Sequence, residues 1–195
     1  MDFAQIFFLC YSGGMSTSII ASDLHGDLQA LQNLYSLCRI HDVSHLILAG
    51  DQCPGRSDSY AALLNSCPVP LLSVRGNCDS GWEYDAAGLH LPPRFRIMDA
   101  HGRTLLITHG DIFLQPQDTG IVLKAGDIFI TGHTHVPLLQ VHSDGWIHVN
   151  PGSASRPRGI HGPTFTLVDD GGISIRLMDT GKDIMSLAFT RDSMK

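Results

Sequence analysis

Hydrophobic residues in the first half of the chain come in short runs separated by stretches with a helical period. Residues 18–21, 45–50 and 70–74 are rich in aliphatic side chains, which predicts three buried strands. The leucines of 28–40 recur at helical spacing, and 59–67 predicts a second, shorter helix. This β-α-β-α-β order predicts that the three strands pair in parallel.

Predicted strands dominate the second half of the chain. Seven further segments have the branched and aromatic composition of strands: 94–98, 103–108, 127–132, 138–143, 146–150, 164–169 and 173–178. Asp144 and Gly145, between two of these segments, predict a hairpin turn. Because no linker or low-complexity tract interrupts the chain, we expect one α/β domain of two packed β-sheets with helices outside.

Composition narrows the possible class of protein. The chain has 195 residues, of which 43% are hydrophobic, so it can bury a sizeable core. Its formal net charge of −6 argues against a nucleic-acid or anionic-membrane surface made of clustered Lys and Arg. No two of its five cysteines form a C-x-x-C pair, which argues against a disulfide framework or a zinc ribbon. We therefore expect a cytoplasmic protein.

The N-terminal segment has a short apolar run, residues 6–11, with no basic residue before it. A secretory signal needs a basic leading region, and a membrane span needs about 20 apolar residues. We expect residues 1–15 to form an extension outside a domain that covers 16–180, with 181–195 as a C-terminal segment. The extension is interpreted as a disordered tail, an extra edge strand or residues ahead of a true start at Met15.

Polar side chains cluster where the predicted strands end, each with Gly nearby. Five successive strand ends contribute them: Asp23 and His25, Asp51, Asn77 and Asp79, His109, and finally His133 and His135. Ligands of open α/β sheets bind outside the carboxyl ends of the strands. Taken singly, each segment is typical of a turn, but five in succession predict one shared site.

The residue types at this site predict its ligand. Carboxylate, amide oxygen and imidazole together suit divalent cations such as Mn²⁺, Fe²⁺, Zn²⁺, Co²⁺, Ni²⁺ or Mg²⁺. Seven side chains are candidate metal ligands: Asp23, His25, Asp51, Asn77, His109, His133 and His135. They are too many for one four-coordinate ion, whereas two ions that share a carboxylate would use all seven.

The order D-x-H, GD, GN-x-D, an isolated His and GHTH resembles the calcineurin-like metallophosphoesterase superfamily. Segments 75–79 and 150–153 are most similar to its small bacterial phosphodiesterases of the YfcE type, and the resemblance runs from about residue 18 to about residue 178. It implies a four-layer α/β/β/α sandwich and a metal-dependent phosphodiesterase with two ions, Mn²⁺ first among the candidates. A hydroxide that bridges the two ions would attack phosphorus.

The resemblance also implies roles for individual residues. Three would hold one metal and three the other, with Asp51 as the bridge: Asp23, His25 and His135, then Asn77, His109 and His133. The residues expected to take part in catalysis are Asp51, Asn77 and Asp79. Asp79 is interpreted as orienting the ligands or, alternatively, as capping a turn.

Three residues are candidate substrate contacts: Arg56, Cys78 and Ser153. Cys78 replaces a His that many superfamily members use to assist the leaving group, and Asp111 stands where relatives often have a second His. Arg56 is alternatively a solvated side chain. The segment that holds Ser153 and Arg156 is alternatively a structural turn.

Two other functions remain open at this point. A phosphomonoesterase or protein phosphatase would use the same metal site, and a protein-binding scaffold such as the retromer subunit has the same fold without catalysis. The seven intact ligand types favour an enzyme that acts on a small-molecule phosphodiester. We expect no membrane partner and no strong nucleic-acid surface, and a homo-oligomer is possible.

Overall fold

The computed structural model describes residues 17–189. Its strands are β1 (Ser18–Ala21), β2 (His45–Leu48), β3 (Leu71–Ser73), β4 (Phe95–Ala100), β5 (Arg103–Thr108), β6 (Ile128–Ile130), β7 (Pro137–Val141), β8 (Ile147–Pro151), β9 (Thr164–Asp169), β10 (Gly172–Leu177) and β11 (Asp183–Ala188). Its α-helices are α1 (Leu28–Ile40), α2 (Asp58–Asn65) and α3 (Gly81–Ala86), and 3-10 helices cover Pro54–Arg56 and Pro116–Thr119.

The strands form two mixed sheets. The first has the order β11-β10-β9-β1-β2-β3, in which β1, β2 and β3 are parallel and the other pairs are antiparallel. The second has the order β4-β5-β6-β8-β7, with a parallel centre, β5-β6-β8, and antiparallel edge strands. The predicted parallel β-α-β-α-β unit and the two packed sheets are confirmed.

Alternate residues of the central strands belong to different hydrophobic layers. Ile19 of β1 packs with the buried leucines of α1, whereas Ile20 packs between the sheets with Ile107 of β5. Ile128 of β6 also faces the space between the sheets, while Phe129 faces outward. Because both faces of each strand are covered, the strands are hydrophobic throughout rather than alternating with polar residues.

Helix α1 covers the outer face of the first sheet and has the predicted bounds. It begins after Asp27, whose side chain accepts a hydrogen bond from the Ala30 N–H at 2.9 Å and so caps the helix. Leu31 and Leu34 are fully buried against the sheet. Truncating either leucine to Ala would cost about 2–5 kcal/mol of stability.

A loop, rather than an α-helix, covers the outer face of the second sheet. Ile121 and Leu123, in the segment between β5 and β6, pack on Phe129 and Trp146. The only helix that the structure describes in this segment is the 3-10 turn Pro116–Thr119. The expected flanking helices therefore lie on the first sheet, and the fourth layer is mostly irregular chain.

The structure adds elements at two places. Helix α3 was not predicted because it has only six residues and begins at a Gly. Strand β11 pairs with β10 and lies beyond residue 180, where the sequence prediction ended the domain. The predicted extension 1–15 lies outside the described residues. None of the helices within 17–189 has the length and hydropathy needed to cross a membrane.

The turn predicted between two strands of the second sheet is confirmed. Strands β7 and β8 pair antiparallel, and the His142 N–H donates to the Trp146 carbonyl at 2.9 Å across the turn. Gly145 has a φ of 84°, a left-handed conformation that glycine adopts without a steric penalty.

Candidate active site

Loops at the carboxyl ends of strands from both sheets meet at one place. The His25 N–H donates to the Asp51 carbonyl at 2.9 Å, which joins the loop after β1 to the loop after β2. The His133 N–H, in the loop after β6, donates to Asp23 Oδ2 at 3.0 Å. These contacts bring residues of distant sequence position into one cluster.

Backbone strain is concentrated at the predicted ligands. Five of these seven residues have positive φ angles: Asp23 (57°), His25 (49°), Asp51 (57°), His133 (66°) and His135 (61°). Left-handed backbone is uncommon outside glycine and persists only where the surrounding structure enforces it, typically at functional sites. The loops therefore hold these side chains in place at the expense of backbone strain.

Three side chains form a first cluster. His135 Nε2 lies 3.3 Å from Asp23 Oδ1 and 3.3 Å from His25 Nε2. One possible ligand atom from each residue lies within 4.8 Å of the other two. These are the three residues that the family resemblance assigned to one metal.

Three other side chains form a second cluster around an amide oxygen. His133 Nδ1 lies 2.9 Å from Asn77 Oδ1, and His109 Nε2 lies 3.2 Å from the same atom. The imidazole rings of His109 and His133 meet edge to face, with centroids 5.3 Å apart. This set corresponds to the second predicted metal.

Asp51 lies between the two clusters. Its Oδ2 is 3.8 Å from His25 Nε2, and its Oδ1 is 3.4 Å from His109 Nε2. Burial alone would raise the pKa of Asp51, but the hydrogen bond and charge of His109 and the Cys78 N–H hold this pKa well below its usual range. A carboxylate that stays ionised between two imidazole clusters is suited to bridge two cations.

The histidine tautomers direct free nitrogen lone pairs into the site. His109 Nδ1 lies 2.7 Å from the Ala49 carbonyl, and His135 Nδ1 lies 2.6 Å from the Arg156 carbonyl. A carbonyl can only accept, so each Nδ1 carries the proton and Nε2 is left to bind a ligand. Such an outer contact is the usual arrangement around a metal-binding histidine.

A buried atom without a partner supports a cation at this position. Asp23 is fully buried, and its Oδ1 has no hydrogen-bond partner within the described chain. Burial lowers the pKa of His109, but Asp51 and Asp23 outweigh burial and raise this pKa to about 9. The acidic pocket thus favours positive charge strongly, and its donor set fits divalent metal ions.

Two glycines allow this close approach. A Cβ on Gly76 would collide with the side chain of Asp51, and a Cβ on Gly50 would collide with the imidazole of His109. The glycines beside the polar residues therefore make room for them, which is the structural reason for the Gly-polar pairs in the sequence.

Asp79 holds the loops rather than facing the site. This buried carboxylate accepts N–H groups from Asp51 (2.9 Å), Gly76 (2.9 Å) and Cys53 (2.8 Å). Burial raises the pKa of Asp79, and the three N–H groups only partly oppose this rise. Both predicted interpretations describe the contacts of Asp79, since it caps a turn and so orients Asp51.

The substrate contact predicted for Ser153 does not fit its position. Ser153 is fully buried, donates to the Asp23 carbonyl at 2.8 Å and accepts from the Arg156 N–H at 2.8 Å. The predictions also missed Asn150, whose side chain donates to the Gly132 carbonyl at 2.6 Å. Asn150 and Ser153 both belong to the NPGS segment, residues 150–153, which was the sequence signal for Asn150. Both side chains support loops that carry predicted metal ligands.

The other candidate substrate contacts lie at the rim. Cys78 is exposed, and its Sγ lies within 4.8 Å of ligand atoms of His25 and Asp51. Burial, with Asp51, raises the pKa of Cys78 to about 11. Arg56 is exposed on the 3-10 helix after β2.

Asp111 and Cys53 make contacts near the site that were not predicted from the sequence. Asp111, which stands where relatives often have His, is paired with Arg94 at 3.1 Å. Cys53 was not predicted, but it is buried, with its Sγ 3.8 Å from His25 Nδ1.

Comparison with known families agrees with this geometry. The profile of the calcineurin-like phosphoesterase superfamily domain matches residues 17–170. The chain belongs to this superfamily. Members are metal-dependent hydrolases, so this calcineurin-like phosphoesterase has both the family's chemistry and a matching set of candidate metal ligands.

Individual relatives of this phosphoesterase support the assignment. Phosphodiesterase YfcE of Escherichia coli strain K12 is 30% identical over 187 residues, covering 89% of this chain and 98% of the relative. The solved structure of that E. coli phosphoesterase has a TM-score of 0.79 and 25% identity, covering 89% of this chain and 100% of its own. Vacuolar protein sorting 29 of Cryptosporidium parvum shares only the fold, with a TM-score of 0.65, 18% identity and coverage of 92% and 100%.

Proposed function

We propose that this protein hydrolyses small-molecule phosphodiesters with two divalent cations, Mn²⁺ first among them, held by the two clusters. The observation that carries the proposal is the buried, unpartnered Asp23 Oδ1 between the imidazoles of two clusters that Asp51 joins. Bound cations would supply a hydroxide nucleophile at neutral pH and neutralise the phosphoryl oxygens. The acidic chain lacks that positive charge on its own.

Each of the two clusters would hold one cation. Asp23, His25 and His135 would hold one cation, and Asn77, His109 and His133 the other. Asp51 would bridge them because the Cys78 N–H, 2.8 Å away, and Asp79 fix its position. We assign Asp79 and Ser153 to positioning.

Cys78 and Arg56 remain proposed substrate contacts. An exposed thiol beside Asp51 is a weak proton donor for a leaving group, because its pKa is about 11. Diesters with acidic leaving groups do not need that proton and should turn over fastest.

The compartment and the chain boundaries are part of the proposal. Free thiols at Cys38, Cys53, Cys67 and Cys78 support a reducing cytoplasm. We infer that the domain starts near Ser16, and a chain that begins at Met15 should then keep full metal-dependent activity.

Metal-stripped protein tests the function directly. We expect about two bound ions per chain after Mn²⁺ is added, and faster hydrolysis of bis(p-nitrophenyl) phosphate than of p-nitrophenyl phosphate. The reverse preference would identify a monoesterase. Bound metal without hydrolysis of either compound would favour the scaffold alternative.

A further inference from the structure

Three arginines near the metal clusters have no carboxylate partner among the described residues. Arg56, Arg156 and Arg158 are exposed, and none lies within ion-pair distance of a carboxylate of the described residues. By contrast, Arg94 and Arg176 are paired with Asp residues at 3.1 and 2.7 Å. Unpaired cations in a chain of net charge −6 point to an external anion.

The backbone fixes two of these arginines to a predicted metal ligand. The Arg156 carbonyl accepts from His135 Nδ1 at 2.6 Å, and the Arg158 N–H donates to the His135 carbonyl at 3.0 Å. Pro157 lies between them and restricts the backbone further. The two guanidinium groups therefore start from a rigid segment that is tied to the first cluster.

Exposure separates these two side chains from the residues just before them. Ser153 and Ala154 are buried, whereas Arg156 and Arg158 are exposed. Because the backbones of both arginines contact His135, their charges lie at the surface beside the first cluster.

A charge count shows that the diester itself does not need these arginines. The charge of two divalent cations is balanced by Asp23, Asp51, a hydroxide and the single negative charge of a phosphodiester. Arg156 and Arg158 then remain as surplus positive charge beside the substrate. Guanidinium groups bind phosphate through paired hydrogen bonds, so the matching partner is a second phosphate group.

We propose that Arg156 and Arg158 form a second anion subsite, and that the preferred substrates are phosphodiesters with an additional terminal phosphate. The inference rests on the proposed phosphodiesterase function. Water supplies the oxygen that bonds to phosphorus, the bond from phosphorus to the leaving oxygen breaks, and the leaving group takes up a proton. The terminal phosphate is bound but not cleaved.

A matched pair of substrates tests the subsite by turnover. The p-nitrophenyl ester of thymidine 3′-phosphate would be compared with the same compound carrying a 5′-phosphate. We expect a wild-type preference in kcat/KM of about tenfold for the 5′-phosphorylated ester, which one charge-assisted hydrogen bond can supply. The preference should fall as salt is added.

Variants assign the preference to the two arginines. Arg156→Gln combined with Arg158→Gln should bring the ratio of kcat/KM values close to one. Arg156→Lys should keep much of the ratio because the charge remains. The matched control is Arg39→Gln, an exposed arginine on α1, which should leave the ratio unchanged.

A binding measurement separates the subsite from the reaction. Titration calorimetry of Mn²⁺-loaded protein should show thymidine 3′,5′-bisphosphate binding about tenfold more tightly than thymidine 3′-phosphate, and the double Gln variant should lose this difference. Equal binding of the two nucleotides by wild type, or a difference that survives in the double variant, would overturn the subsite. Absence of hydrolysis with the binding difference intact would instead overturn only the proposed function.

Discussion

Replacing Asp79 by Asn should lower both the stability of the fold and the affinity of the site for metal, although Asp79 is not itself a predicted metal ligand. The two carboxylate oxygens of Asp79 accept three backbone N–H groups, two at Oδ2 and one at Oδ1. An amide has one acceptor oxygen, so its NH₂ group must face at least one N–H. The best orientation keeps the Asp51 and Gly76 contacts and leaves the Cys53 N–H opposite a second donor.

The size of the effect follows from these contacts. A hydrogen bond to a charged group contributes about 1.5–3 kcal/mol, and a buried donor left without a partner costs about 1–3 kcal/mol. We therefore expect Asp79→Asn to lower the free energy of unfolding by about 2–4 kcal/mol. Because the Asp51 N–H is one of the three donors, we also expect metal affinity to fall about 10–100-fold, the range typical of residues that orient ligands.

Two measurements on the same variant check this reasoning. Urea unfolding of metal-free protein gives the loss of stability, and hydrolysis of bis(p-nitrophenyl) phosphate over a range of Mn²⁺ concentrations gives metal affinity. Activity should recover toward the wild-type value at saturating Mn²⁺. A variant with unchanged stability and metal affinity but little activity would show that Asp79 acts on the substrate itself.

Three further changes test the bridge, the leaving group and the pH dependence of stability. Asp51→Asn should abolish hydrolysis and reduce bound metal at both clusters, whereas Asp42→Asn, an exposed Asp with a similar positive φ, should change neither hydrolysis nor bound metal. Cys78→His should speed hydrolysis of alkyl diesters more than that of aryl diesters, and a wild-type rate that does not vary with leaving-group pKa would contradict this. Burial, together with the charge of His142, lowers the pKa of His148 to about 4. The neutral form of His148 therefore contributes at most about 3 kcal/mol of stability above pH 6.5, and this contribution is lost as pH falls toward 4. Urea unfolding of His148→Gln should therefore vary less than wild type across that pH range, and an unchanged pH profile would refute this assignment.

The strands and the meeting point of the ligands could be predicted from the sequence because both depend on local patterns. Hydrophobic runs such as 45–50 identify buried strands, and a parallel β-α-β order places successive strand ends at one edge of a sheet. A polar residue with an adjacent glycine at such an end, as at Gly50 and Asp51, is then a local signal of a site. The family resemblance assigned those residues to two metals.

The supporting contacts could not be predicted because their partners are distant in sequence. Ser153 donates to the carbonyl of Asp23, 130 positions earlier. Asp79 joins the loop after β3 to the loop after β2 through backbone N–H groups that have no side-chain signature. For the same reason Ser153 was expected to contact substrate, although its hydroxyl is used entirely within the protein. Helix α3 is too short to show a helical period.

A second group of polar residues shows which features distinguish a functional site from a structural contact. Ser18 Oγ lies 3.1 Å from His101 Nε2, and His101 Nδ1 lies 3.4 Å from Asp170 Oδ1, which is the hydrogen-bond order of a serine hydrolase. Ser18 is fully buried at the start of β1, at the opposite edge of the sheet from Asp23, so no substrate can reach its hydroxyl. Its hydroxyl is also satisfied by His101. The positive φ of His101, 56°, shows that backbone strain alone does not identify a site. At the metal clusters, by contrast, a buried carboxylate oxygen, Asp23 Oδ1, has no hydrogen-bond partner within the described residues, and this feature calls for a ligand.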